Sequence, residues 1–215
     1  MDITYLGHSS FLFKFGSTKV VCDPFSESVG FKLPKTTSDI VTISHDHEDH
    51  CNFKVLQDEP MVINGPGEYE VKGVAITGIA SFHDDKSGKE RGKNVIYTFD
   101  SDELRVCHLG DLGHELSEKD VNKIGDIDVL MIPVGGVYTI DLKQAVKVIK
   151  QIGPSIVIPM HYKTKEHDKK FEKCSTLKEF VDEIQLEPVK AQKLVVKKLE
   201  LPEEMQLAVL ERYAK

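Results

Sequence analysis

Cysteine is scarce in this 215-residue sequence, and its four copies are not spaced to act together. Cys22, Cys51, Cys107 and Cys174 are widely separated, and no C-x-x-C pair occurs. This pattern excludes a disulfide framework and a cysteine zinc site, and it is typical of reduced intracellular thiols. We therefore expect a cytoplasmic protein in which the cysteines serve as small apolar residues.

The sequence also lacks long apolar runs, and we expect no secretory leader. No uninterrupted hydrophobic segment reaches membrane-spanning length. The N-terminal MDITYLGHSS lacks the charged-then-apolar start of a signal peptide. We expect no membrane partner.

The sequence has no excess of basic residues: 28 Lys and Arg stand against 35 Asp and Glu, for a formal net charge of -7. A protein that relies on long-range attraction to phosphate is usually basic. The charge balance favours a small-molecule substrate over nucleic acid, although a local basic patch stays open. A homo-oligomer is equally compatible with the sequence.

Internal repeats, low-complexity tracts and linkers rich in Pro, Gly or Ser are absent from the sequence. Hydrophobic residues make up 40% and charged residues 29%, as in ordinary globular proteins. A chain of this length can bury one sizeable core, so we predict a single domain over residues 1–215.

Hydrophobic periodicity changes along the chain. The first half shows short strand patterns, among them SSFLFKF (9–15), TKVVCD (18–23) and DIVTIS (39–44). The second half alternates strands with helices, which are predicted at 117–124, 141–152 and 175–184. Two further strands, KLVVKKLEL and EMQLAVLERY, are predicted near the C-terminus. Together these patterns indicate an α/β (α+β) fold with two sheets and helices outside.

The strongest chemical signal is SHDHEDH at Ser44 to His50, directly after the strand pattern DIVTIS. His45 and His47 are two residues apart, which in extended backbone places both imidazoles on one side, where they can bind one ion. Asp49 and His50 follow, and a turn there presents them to a second ion. The alternative is a polar surface loop that happens to carry three histidines.

One loop cannot saturate two ions, so other strand ends must supply ligands. His83 follows ITGIASF, Asp111 lies in HLGDLGH, and His161 follows IVIPM. Imidazole and carboxylate are the ligands that a borderline ion such as Zn²⁺ prefers, and Mn or Fe tolerates the same set. Four further histidines are weaker candidates: His8, His108, His114 and His167. The last lies in the charged stretch KEHDKKFEK, which is expected to face solvent.

Taken in order, these motifs resemble the signature of the metallo-β-lactamase superfamily: H-x-H-x-D-H after a strand, a lone histidine, an aspartate in a G-D turn, and a final histidine after an apolar strand. The resemblance runs from about His8 to His161. Within it, LGHSSFLF, Asp23-Pro24 and HLGDLGH are similar to the branch that includes L-ascorbate-6-phosphate lactonase. The resemblance implies a four-layered αββα sandwich with its site at one edge of the two sheets.

The resemblance also implies a set of ligands for each of two divalent metal ions. Three histidines would hold the first ion: His45, His47 and His83. Three other residues would hold the second: Asp49, His50 and His161. Asp111 would bridge the two ions. By the same resemblance, Asp23 orients a ligand histidine and His8 lies at the rim of the site.

Some residues are candidates for contact with the reacting groups. Asp49 is expected to hold the attacking water and take its proton, His114 to protonate a leaving group, and Tyr138 to hydrogen-bond an oxyanion. Arg91 and Lys93, in the charged segment 84–94, offer a site for phosphate or carboxylate. A solvated hairpin is the alternative for that segment.

The predicted function is metal-assisted hydrolysis, in which a hydroxide shared by two ions attacks a small ester, lactone or phosphoester. Three alternatives stay open: a phosphodiesterase or nuclease on the same site, a metal-binding scaffold without turnover, and a redox di-iron protein. His47 stands where the flavodiiron branch of the family has glutamate, which favours hydrolysis over the redox alternative.

Overall fold

The computed structural model describes residues 1–101 and 103–214, which form two β-sheets and three α-helices. The strands in chain order are β1 Asp2–Gly7, β2 Ser10–Phe15, β3 Thr18–Cys22, β4 Ile40–Thr42, β5 Met61–Ile63, β6 Gly67–Val71, β7 Val74–Phe82, β8 Lys93–Ser101, β9 Leu104–His108, β10 Val129–Pro133, β11 Ile156–Met160, β12 Pro188–Ala191, β13 Leu194–Val195 and β14 Gln206–Leu210. The helices are α1 Glu118–Ile124, α2 Leu142–Ile152 and α3 Leu177–Ile184.

The strands divide into one sheet of six and one of eight. The first has the order β13-β1-β2-β3-β4-β5, and the second has the order β12-β14-β11-β10-β9-β8-β7-β6. Helix α2 packs on β10, and both α1 and α3 pack against α2. The predicted α/β class with two sheets and outside helices is confirmed.

Strand direction determines which loops can share a site. In the first sheet β1, β3 and β4 run the same way, because β2 is antiparallel to β1 and β3 while β4 is parallel to β3. In the second sheet β7, β9, β10 and β11 likewise share one direction. The amide of His161, after β11, donates to the carbonyl of His8, after β1, at 2.9 Å. The carboxyl ends of strands from both sheets therefore meet at one edge.

The main hydrophobic core fills the space between the two sheets and extends to buried residues of α2 and α3. Phe13 of β2 packs edge-to-face on Phe99 of β8, with ring centroids 5.3 Å apart. A smaller cluster around Val21 and Val41 covers the other face of the six-stranded sheet, beneath loops and the 3-10 turn Phe53–Val55. The outer layer on that side is thus built from turns rather than from α-helices.

Each of the three helices begins directly after a capping residue. Ser117, Asp141 and Thr176 each accept a hydrogen bond from the amide three residues on, and each is part of a capping box. Helix α2 ends at Gly153, whose left-handed backbone (φ 66°) closes the last turn. No helix in the described residues is long and apolar enough to span a bilayer.

The predicted strand KLVVKKLEL is largely wrong. Only Leu194–Val195 pairs with β1, and the chain then turns into a 3-10 segment at Lys198–Glu200. The Lys198 ammonium group reaches the partly buried Asp128 carboxylate at 2.8 Å, which draws the segment away from the sheet edge. The other C-terminal strand prediction, around Gln206–Leu210, is confirmed as β14.

Replacing Tyr97 with phenylalanine is expected to lower the free energy of unfolding by about 1–2 kcal/mol. The buried Tyr97 hydroxyl of β8 lies 3.0 Å from the Ile43 carbonyl and 3.2 Å from the Ile63 carbonyl, so it bonds one sheet to the other. Urea denaturation measures the change, with Tyr69→Phe as a control that removes a partly buried hydroxyl bonded to Gly65. Equal stability of the Tyr97 variant and the wild type would show that this bond contributes nothing.

Candidate metal centre

Three histidines from two loops form one group at the common sheet edge. His45 and His47 lie in the loop after β4, and His83 directly follows β7. One ligand atom from each lies within 4.8 Å of the others. The structure therefore brings these three residues together, and their spacing suits a single ion.

A second group lies beside the first. It consists of the side chains of His8, Asp49, His50 and His161, whose ligand atoms also lie within 4.8 Å of one another. The Nε2 atom of His8 lies 3.4 Å from Oδ2 of Asp49. Three of the four residues follow the resemblance, whereas His8, expected at the rim, is buried within the group.

Asp111 lies between the two groups. Its Oδ2 atom is 3.2 Å from Nε2 of His50 and from Nε2 of His161, and 3.4 Å from Nε2 of His83. Asn94 accepts a hydrogen bond from the Asp111 amide at 3.0 Å and so fixes the loop after β9. Asn94 was not identified from the sequence, since a buried amide near the start of a strand carries no chemical motif.

A buried network orients two of the histidines. The Asp23 carboxylate lies 2.9 Å from Nδ1 of His50 and accepts a hydrogen bond from the Ser44 hydroxyl at 2.5 Å. That hydroxyl in turn lies 2.9 Å from Nδ1 of His45. Because each Nδ1 atom has a polar partner, the Nε2 atoms are directed into the site. Asp23 thus makes the contact that the resemblance implies.

The backbone is strained at three points of this edge. His8, Asp23 and His161 have φ values of 54°, 46° and 56°, in the left-handed region that non-glycine residues rarely adopt. Each of the three residues directly follows a strand end. Strain of this kind persists where the surrounding structure fixes it, and it clusters at functional sites.

Burial and charge set the ionisation of the cluster. Burial lowers the pKa of His45 to about 2 and that of His8 to about 3, so both are neutral and able to donate a lone pair. Burial alone would raise the pKa of Asp111, but His161 and His50 outweigh it and hold that pKa well below its usual range. Asp111 is therefore an anion among imidazoles.

The donor set fits divalent metal ions. Eleven side chains in the described part of the chain have a buried atom without a hydrogen-bond partner, and six of them belong to this cluster: His8, His45, His50, His83, Asp111 and His161. Buried polar atoms almost always have partners, so this concentration at one point marks a place for a ligand. Imidazole nitrogen and carboxylate oxygen are the donors that zinc, manganese and iron accept.

A cavity of about 300 Å³ opens over both groups, and Asp49 and Tyr138 are in its wall. The Tyr138 hydroxyl donates to the Lys170 carbonyl at 2.9 Å, which occupies the proton that an oxyanion contact would use. His114 is not among the residues that line the cavity: its Nε2 accepts from the Phe82 amide and its Nδ1 lies 2.8 Å from the Glu115 carbonyl. The expected leaving-group role of His114 therefore finds no support in its position.

The cavity wall also contains charged residues from loops. Arg91 lines it, as the sequence allowed, whereas Lys93 lies exposed at the start of β8 and does not. Lys170 was not identified from the sequence, because its cluster of charges resembles an ordinary solvated turn. A larger cavity of about 610 Å³ lies at the opposite end of β9 and β10, and no histidine or cysteine is among its described lining residues.

Two other histidines have structural surroundings. His108 is buried, with Nε2 2.8 Å from the Ser9 carbonyl, and so joins the two sheets. The expectation that His167 faces solvent is wrong. Its ring packs 5.6 Å from that of His8 and 5.2 Å from that of Phe171, and its Nδ1 accepts from the Thr164 amide. The 3-10 turn that buries Phe171 folds His167 inward with it.

Replacing Asp23 with asparagine is expected to weaken metal binding by about 10–100-fold, the usual effect of losing a carboxylate behind a ligand histidine. The carboxylate accepts at both oxygens, from the Ser44 amide at Oδ1 and from the Ser44 hydroxyl and His50 at Oδ2, whereas a carboxamide has only one accepting oxygen. Competition with a chromogenic zinc chelator measures the affinity. Asp39→Asn serves as the control, because Asp39 forms an exposed ion pair with Lys72. Unchanged affinity would show that Asp23 has no part in orienting His50.

A family model described as the β-lactamase superfamily domain matches residues 2–161. A candidate Zn-dependent hydrolase of the metallo-β-lactamase superfamily from Thermotoga maritima is 37% identical to this chain. Its crystal structure superposes with a TM-score of 0.80, and the match covers 97% of each chain.

Curated relatives from archaea give a consistent result. A metal-dependent hydrolase from Methanoregula boonei is 30% identical, over 77% of this chain and 84% of its own length. Another from Archaeoglobus fulgidus is 29% identical, over 76% of this chain and 84% of its own length.

Proposed function

Because this chain belongs to the metallo-β-lactamase superfamily, we propose that it is a metal-dependent hydrolase acting on a small ester, lactone or phosphoester. The observation that carries the proposal is the convergence of unpartnered buried imidazole and carboxylate atoms at the base of an open cavity. The names of the relatives from Thermotoga maritima and the two archaea support it.

In this proposal two ions share the site. The first would be held by the side chains of His45, His47 and His83, and the second by those of Asp49, His50 and His161, with His8 beside them. Asp111 would contact both. When bound, such ions supply Lewis acidity, since they lower the pKa of water and polarise the oxygen of a carbonyl or phosphoryl group. Zinc is the proposed metal on ligand type, with manganese or iron as alternatives.

The protein's own groups position the reactants. Asp49 lies in the cavity wall, 3.4 Å from Nε2 of His8. Burial would raise its pKa, but the contact with His8 outweighs burial and lowers it, so the carboxylate is ionised at neutral pH. It can therefore accept a hydrogen bond from the attacking water and orient it toward the substrate. The Tyr138 ring forms part of the wall against which the substrate packs.

Location is part of the same proposal. The four cysteines are free in the structure, three of them buried and Cys51 half-buried. Scattered free thiols are typical of proteins of the reducing cytoplasm, where we propose that this hydrolase acts.

A panel of model substrates tests the proposed activity. The metal-loaded protein is assayed with 4-nitrophenyl acetate, a γ-lactone, 4-nitrophenyl phosphate and bis(4-nitrophenyl) phosphate. We expect turnover of at least one class that stops on chelation and returns when zinc or manganese is restored. Protein that binds metal but hydrolyses none of the four would leave only a metal-binding scaffold, contrary to the proposal.

A further inference from the structure

Two basic side chains from separate loops stand at the mouth of the cavity over the candidate metal centre. Arg91 comes from the loop between β7 and β8, and Lys170 from the 3-10 turn Lys169–Phe171. Both line the same cavity as His47, Asp49 and Asp111. The chain as a whole carries a net charge of -7, so the two cationic side chains at this mouth are opposite in sign to the overall charge of the protein.

The loop that carries Arg91 is held in one shape by a buried carboxylate. Asp84 accepts hydrogen bonds from four backbone amides of that loop, those of Lys86, Gly88, Glu90 and Arg91, at 2.7–3.0 Å. Gly88 and Gly92 have φ values of 78° and 92°, which only glycine adopts without strain. The position of Arg91 is therefore built by the fold and is not that of a solvated hairpin tip.

The guanidinium group itself is directed across the cavity. Its Nη2 atom donates to the Val137 carbonyl at 3.1 Å, and its central carbon lies 5.8 Å from the centre of the Tyr138 ring. No carboxylate among the described residues lies within 4.0 Å of its nitrogens. Since a guanidinium has five N–H donors, most of them remain available for a ligand.

Lys170 is tied to the same wall through its backbone. Its carbonyl accepts the Tyr138 hydroxyl, and its ammonium group lies 5.2 Å from the centre of the Phe171 ring. The acidic groups nearby are Glu90, which lines the cavity together with Asp49 and Asp111 of the candidate metal centre, and Glu48, whose Oε1 lies 3.8 Å from Nζ of Lys170. Glu48 is well exposed, and a pair of this kind contributes little, so it does not neutralise the lysine.

We propose that the substrate carries an anionic oxyacid group, a carboxylate or a phosphate, which Arg91 and Lys170 bind at the cavity mouth while the reacting bond lies over the candidate metal centre. This inference rests on the proposed hydrolase function and names its substrate class. A cavity of about 300 Å³ suits a small-molecule substrate. Charge-assisted hydrogen bonds from a planar guanidinium suit either oxyacid.

The kinetic test compares two esters that differ by one carboxylate: 4-nitrophenyl pentanoate and mono-4-nitrophenyl adipate. In the wild type we expect a higher kcat/KM for the adipate ester. In Arg91→Gln and in Lys170→Gln we expect the ratio of the two kcat/KM values to fall about 10-fold or more, chiefly through KM of the charged ester. Lys93→Gln and Lys169→Gln remove the same charge from neighbouring exposed positions and should leave the ratio unchanged.

A binding measurement separates this inference from the proposed function. Succinate, methyl phosphate and neutral succinamide are titrated into the metal-loaded protein by calorimetry. We expect both anions, but not succinamide, to bind, and to bind about 10-fold or more weakly in the Arg91 and Lys170 variants. This binding result would support the anionic substrate class even if neither ester were hydrolysed. The missing hydrolysis would count only against the hydrolase proposal. Equal binding and equal kinetic ratios in wild type and both variants would overturn the anionic substrate class.

Discussion

Replacing Asp111 with asparagine is expected to lower kcat/KM by about 10³-fold. Asp111 is the only carboxylate that lies between the two ligand groups in the described structure, within 3.4 Å of Nε2 of His50, His83 and His161. Asparagine keeps the shape of the side chain but removes the negative charge that would bind both ions. The loss should therefore appear in metal occupancy and turnover rather than in folding.

The measurement is steady-state kinetics on the most reactive substrate of the panel, with circular dichroism to verify the fold. Asp46→Asn is the matched control, because Asp46 lies in the same histidine-rich loop with an exposed side chain. The control should retain wild-type activity. An Asp111 variant within a few-fold of wild type would place the chemistry elsewhere in the molecule.

Removing the metal is expected to lower the thermal midpoint by about 8–16 °C. An ion present at about 1,000 times its dissociation constant stabilises the folded protein by about 4 kcal/mol. For a domain of this size each kcal/mol corresponds to about 2–4 °C. The physical cause lies in the cluster itself, where buried imidazole and carboxylate atoms have no partner until an ion supplies one.

Differential scanning calorimetry in EDTA, and again after zinc is restored, measures this shift. The Asp111→Asn variant provides the internal control, since a protein that has lost its ions should show little change on chelation. If the wild-type midpoint were the same with and without chelator, the cluster would be stable without metal and the binding proposal would be wrong.

Much of this architecture could be predicted from the sequence because it is determined by local sequence patterns. The alternation in SSFLFKF and TKVVCD predicts β2 and β3, and the capping residues Ser117 and Asp141 predict where helices begin. The motif at His45–His50 predicts that its histidine and aspartate side chains lie near one another, because they are close in sequence and follow a buried strand.

The parts that could not be predicted depend on long-range packing. The burial of His8 beside Asp49 follows from β1 pairing within one sheet while β11 ends opposite it, which no local pattern reveals. Lys170 and Asn94 likewise reach the site only through long-range packing. Their segments have the sequences of an ordinary turn and an ordinary strand. The resemblance to the lactonase branch and the single-domain boundary stay predictions.

The most direct test is the number of metal ions per chain, measured by inductively coupled plasma mass spectrometry on wild type and Asp111→Asn purified side by side. We predict about two transition-metal ions per wild-type chain and a clear loss in the variant. A wild-type protein that contains no metal and takes up neither added zinc nor added manganese would contradict the binuclear hydrolase.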